Sequence, residues 1–139
     1  MSAELRWKVR TVLAALVLPP LLSVVSFARL ARWIGGRRPA QALAPPEADL
    51  AEWTEMILRR LPPPWRYTCL RRGVVLYYLL RKSGREATLH IGVRRDAVGS
   101  FVAHAWLTRK SSLLLEPPSN QLAQYRIIAS FPETDPAAP

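Results

Sequence analysis

Near the start of the chain the hydrophobic positions run together: from Val12 to Ala28 only Ser23 and Ser26 interrupt an apolar stretch, and Pro19-Pro20 falls in its middle. Proline lacks the N–H that a helix interior needs and its ring crowds the preceding turn. The pattern therefore predicts two short helices, about 3–17 and 21–35, joined at the proline pair, with Gly35-Gly36 closing the second. A membrane span needs about 20 uninterrupted apolar residues, and this run is shorter and broken. A secretory leader fits poorly as well. Arg29, Arg32, Arg37 and Arg38 separate the apolar run from the small-x-small triplet Ala42-Leu43-Ala44.

From Arg37 to Glu47 the sequence turns to Arg, Pro, Ala and Gln, a linker composition. Residues 47–60 then show helical spacing at Leu50, Trp53 and Ile57, with acids in the first turn and Arg59-Arg60 in the last, as the helix dipole favours. Pro62-Pro63-Pro64 predicts a stiff extended lead into Trp65 and Cys69. A second strong helix covers about 69–83 despite Gly73, with Gly84 placed as its cap, so Cys69 opens a helix. Beyond Gly84 the period changes to two. Strands are predicted at about 88–93, 100–108, 112–116 and 124–131. Helices followed by an antiparallel meander make the fold class α+β, with Cys69 at a helix N-terminus. The expected organisation is an apolar helical segment and linker at 1–44, a core at 45–132, and a disordered tail at 133–139.

The 139 residues, half of them hydrophobic, suffice for one domain of ordinary size. Net charge is +10, and 17 of the 20 cations are Arg. They are scattered from Arg6 to Arg126 without a long run or an aromatic-interleaved stripe, which argues against nucleic acid. The charge suits an acidic peptide or peripheral contact with an anionic membrane surface. A single cysteine excludes an intramolecular disulfide and a Cys-based zinc site, and the cytoplasm is the natural compartment, with membrane association through residues 1–36 as the variant reading. The two histidines show no HExxH spacing, so no metal and no cofactor are expected.

A thiol becomes a good nucleophile when its thiolate is favoured, and a helix N-terminus and an imidazole both do this. Cys69 has the first by position; His104, thirty-five residues on, can supply the second. On a strand, Val102, His104 and Trp106 share a face, which shields the imidazole from water. Glu116, twelve residues past His104, is the only carboxylate between Asp96 and Glu133, and a tight turn near Arg109-Lys110-Ser111 would bring its strand beside that of His104. Spacing alone leaves open that Cys69 is a small buried hydrophobe and His104 a core residue. His90, opposite Leu89 and Ile91 and with no partner at a telling distance, reads as an exposed or half-buried strand histidine.

The words Trp65…Cys69-Leu70-Arg71, Leu89-His90-Ile91-Gly92-Val93-Arg94 and Phe101-Val102-Ala103-His104-Ala105-Trp106, in this order and spacing, resemble the transglutaminase-like leader peptidases of lasso-peptide biosynthesis in their stand-alone form. The resemblance implies a papain/transglutaminase-like core whose antiparallel sheet carries the histidine, with Cys69 as nucleophile, His104 as base, and an acid at the position of Glu116, where the family usually has Asp. Gly73 stands close to where the family commonly has Ser. Trp65 and Trp106 are candidates for substrate contact or for the oxyanion site, beside the backbone N–H of Cys69. The resemblance further implies a ribosomally made precursor whose leader is removed, a separate leader-recognition protein, and an ATP-dependent macrocyclase that closes the core peptide. Two alternatives use the same features: a transglutaminase-type acyl transferase, and a non-enzymatic membrane-associated scaffold in which Cys69 is incidental.

Overall fold

The computed structural model of the chain describes residues 2–34, 44–63, 65, 67–110, 112–116 and 120–132; the expected linker from 37 and the tail at 133–139 fall largely or wholly outside them. The first helix, α1 (Ala3–Val24), is capped by Ser2, whose hydroxyl accepts from the Leu5 N–H. It runs through both prolines, so the expected break at Pro19-Pro20 is corrected. Pro20 has no N–H to offer the carbonyl of Leu16, four residues back, and the indole Nε1 of Trp65 donates to that carbonyl at 2.8 Å instead. Burial of Ala14, Ala15 and Leu18 holds the flanking turns. The break falls later, where Val25 adopts an extended conformation and the Ser26 hydroxyl caps α2 (Phe27–Ile34) by accepting from the Arg29 N–H.

Helix α3 (Glu47–Arg60) buries Leu50, Ala51, Thr54 and Leu58 on one stripe. The segment after it is a turn, not an extended rod: the Trp65 N–H donates to the Pro62 carbonyl and the Tyr67 N–H returns to Leu58. Thr68 then caps α4 (Cys69–Lys82), its hydroxyl accepting from the Arg71 N–H at 3.1 Å. Gly84, at φ +83°, ends that helix. Helix α4 is buried almost all round from Arg72 to Leu80, as befits a helix packed between α1 and α3 on one side and the sheet on the other.

Four antiparallel strands follow: β1 (Thr88–Arg95), β2 (Phe101–Arg109), β3 (Ser112–Leu114) and, after a short 3-10 helix at Asn120–Gln124, β4 (Arg126–Phe131). Their order is β3-β2-β1-β4. The sheet is thus not a simple meander: β4 crosses back to pair with β1, placing Phe131 opposite Leu89 and Ser130 opposite His90. Strand β3 stops at Leu114, short of the expected 116, because Leu115 turns into the left-handed region at φ +60°. Leu89, Ala105 and Leu107 face α4 and are buried. Where α4 crosses the sheet, a side chain at Gly73 would stand 3.1 Å from Leu89 and 3.5 Å from Ala105, which accounts for glycine inside this helix. Trp7, Leu18 and Leu30 join the same core as Leu50, Leu76, Leu89 and Phe131, so the N-terminal helices pack as part of one body. Among the described residues no helix is long and apolar enough to cross a membrane.

Candidate active site

Cys69 is a half-buried free thiol in the first turn of α4. The opening N–H groups of a helix have no intrahelical acceptor, and the Thr68 cap engages Arg71, leaving those of Cys69 and Leu70 as natural donors to a developing oxyanion. The helix dipole adds positive potential at the same point.

His104 lies on β2, and its Nε2 is 3.2 Å from Oε2 of Glu116, both side chains being about one-fifth exposed. With Nε2–H donating to the carboxylate, Nδ1 is the nitrogen left to accept a proton. The imidazole stacks on Trp106, with ring centroids 5.8 Å apart and planes 16° from parallel, and Tyr125 lies 5.5 Å away on a tilted plane. Trp106 itself lies over Gly92. A side chain at Gly92 would come within 2.9 Å of both the Trp106 ring and Tyr125, so the glycine makes the space that the ring fills.

Of the residues singled out from sequence, His104, Glu116 and Trp106 come together, and Cys69 sits at the helix start. Ala105 packs toward α4 at Gly73, while His104 and Trp106 alternate onto the face that Tyr125 covers. Among the described residues no hydrogen bond joins Cys69 to His104. Trp65 is held by α1, its indole N–H given to the Leu16 carbonyl. No group of three or more His, Cys, Asp and Glu among the described residues could hold a metal ion.

Three features escaped the sequence reading. His90 is not partnerless: Nδ1 is 2.7 Å from the Ser130 hydroxyl and Nε2 is 2.8 Å from that of Thr108. Burial lowers its pKa below the ordinary 6.5, favouring the neutral ring that two hydroxyls can satisfy. Tyr125 gave no signal, since its place beside His104 depends on the return of β4. Arg72 did leave one, as a cation among Gly73, Val74, Val75 and Leu76 on a buried helix; it bonds Glu55 and the carbonyl of Leu115.

The model of the transglutaminase-like superfamily matches residues 14–130, and the chain belongs to that superfamily, which includes cysteine peptidases and acyl transferases. The match spans α1 through β4 and agrees with the α+β architecture. No curated protein and no solved structure is found to match the chain.

Proposed function

We propose that the protein is a cysteine peptidase that removes the leader from a ribosomally made lasso-peptide precursor, with Cys69 as nucleophile, His104 as base and Glu116 orienting the imidazole. The observation that carries the reading is the His104–Glu116 pair, 3.2 Å apart on an aromatic platform, in a chain whose one thiol opens a capped helix. Nδ1 of His104 takes the thiol proton, and the thiolate adds to the scissile carbonyl. The C–N bond then breaks as the imidazolium returns the proton to the leaving amine. Water, deprotonated by the same nitrogen, hydrolyses the thioester and frees the leader acid. Glu116 keeps Nε2 protonated throughout, so that Nδ1 remains the basic nitrogen. The mechanism requires Cys69 and Nδ1 to come within hydrogen-bond reach; His104 leaves β2 on the face opposite Ala105, which packs against α4, so the reading requires the start of α4 or the strand to shift when substrate binds.

The reading includes a separate leader-recognition protein and cooperation with an ATP-dependent macrocyclase. Leu5, Leu13 and Val17 of α1 are about half exposed and offer that recognition protein an apolar contact. The test is to incubate the chain with a candidate precursor and its recognition protein and to weigh the products. Release of leader and core with one added water supports the proposal. An amide joined to an added amine instead of water would convert the reading to acyl transfer. Cleavage that persists in Cys69→Ala would overturn the assignment of the nucleophile, and no cleavage together with a Cys69 that reacts with iodoacetamide no faster than an exposed model thiol would overturn the reading in favour of a scaffold.

A further inference from the structure

We infer that Arg72 is a positioning residue for Glu116: from α4 its guanidinium pins the turn after β3 and so aims the next carboxylate at His104. This rests on the reading of His104 and Glu116 as a catalytic pair. Arg72 is only 6% exposed, and burying a cation is costly unless every donor it offers is well used. Two donations run to separate elements. Nε gives to Oε1 of Glu55 on α3 at 2.7 Å, and Nη2 gives to the carbonyl of Leu115. A guanidinium is planar, so once Glu55 fixes Nε the direction of Nη2 follows.

The recipient of that second bond is unusual. Leu115 has φ +60°, a conformation that costs a residue with a β-carbon about 1 kcal/mol. Such a residue persists where its surroundings over-determine it. Strand pairing does not do so, because the β2–β3 ladder ends at Leu107–Leu114. The Arg72 bond to Leu115 takes over at the next residue, and Glu116 follows directly. Arg72 is also three residues beyond Cys69 on the same helix, one turn into α4. The nucleophile's helix and the acid's turn are therefore fastened to each other, and neither drifts alone.

The test uses the full chain and reads the tautomer of His104 by long-range 1H–15N NMR. Only two histidines are present, and His90 serves as the internal reference. In the parent, neutral His104 should carry its proton on Nε2. Arg72→Met should lose that preference as Glu116→Ala does, while His90 is unchanged, and Arg72→Lys should recover it only in part, since an ammonium has no fork. If Arg72→Met does not fold, the pair Arg72→Met with Glu55→Met removes both charges and still lacks the Leu115 bond. With a cleavable precursor, Arg72→Met should lower kcat roughly tenfold or more with little change in KM, the size seen for residues that orient a catalytic group. Added to Glu116→Ala it should cost nothing further. A parent-like His104 tautomer in a folded Arg72 variant overturns the inference. Failure of the catalytic reading looks different: iodoacetamide then modifies Cys69 equally fast in the parent and in His104→Ala, whatever Arg72 does to the tautomer.

Discussion

Gly92 and His90 are neighbours but one strand residue apart, and their side-chain requirements are opposite. At Gly92 nothing larger than hydrogen fits under Trp106 and Tyr125, so Gly92→Ala should lower unfolding stability by about 1–3 kcal/mol in urea titrations, by overpacking. The same change should disturb His104, which stacks on the displaced ring. At His90 the ring is needed neutral. Its folded pKa lies below the ordinary 6.5, so the unfolded chain binds the proton first. Its contribution to stability is complete above pH 6.5 and is lost as pH falls from there through the folded value. His90→Gln should flatten the dependence of stability on pH over that window; an unaltered slope would show that other groups set it. The catalytic candidates show how a single sequence divides at this scale. Cys69, His104 and Glu116 stood out as candidates because a lone thiol, an imidazole among apolar neighbours and an isolated carboxylate are chemically conspicuous, and of the three the structure brings His104 and Glu116 into contact. The partners of His90 could not, because Ser130 lies forty residues away and reaches it only through the crossing of β4.

The helices α3 and α4 were legible almost to the residue, since acids and bases mark the ends of the first and a closing glycine the end of the second. The proline pair in α1 misled, because the local penalty assumes an orphaned carbonyl, and Trp65, forty-nine residues on, answers the one at Leu16. Strand β3 was read two residues too long for a related reason: a bond from Arg72 supports a turn that leucine alone disfavours. Two substitutions test these supports. Trp65→Phe keeps the ring and removes the donor, and since this bond is exposed to water the loss should be small, about 0.5–1 kcal/mol, with helical content reduced near the prolines in hydrogen exchange. Thr68→Ala should cost about 1 kcal/mol through the lost cap on α4. It should also slow alkylation of Cys69, whose helix start becomes frayed.

Across the whole molecule, α1 has two faces with different duties. Trp7, Ala14, Ala15 and Leu18 belong to the core, so deletion of residues 1–36 should unfold the domain and not merely release a partner. The outward face is better tested by Leu13→Ser with Val17→Ser, both about half exposed. These should change stability by no more than about 0.5 kcal/mol while reducing self-association in sedimentation runs. Retention of the parent chain in membranes after a carbonate wash would show that this face enters a bilayer. The strand order has a consequence of another kind. Strand β1 lies between β2 and β4, yet β4 and the adjoining Tyr125 are made some thirty residues after β1, so a ribosome delivers the thiol, the imidazole and most of the sheet before the wall beside His104 exists. During that interval β1 carries a bare edge open to stray pairing. Until β4 pairs with β1, His104 lacks the Tyr125 ring that closes its face, so the surroundings of this candidate site are the last part of the domain to be completed.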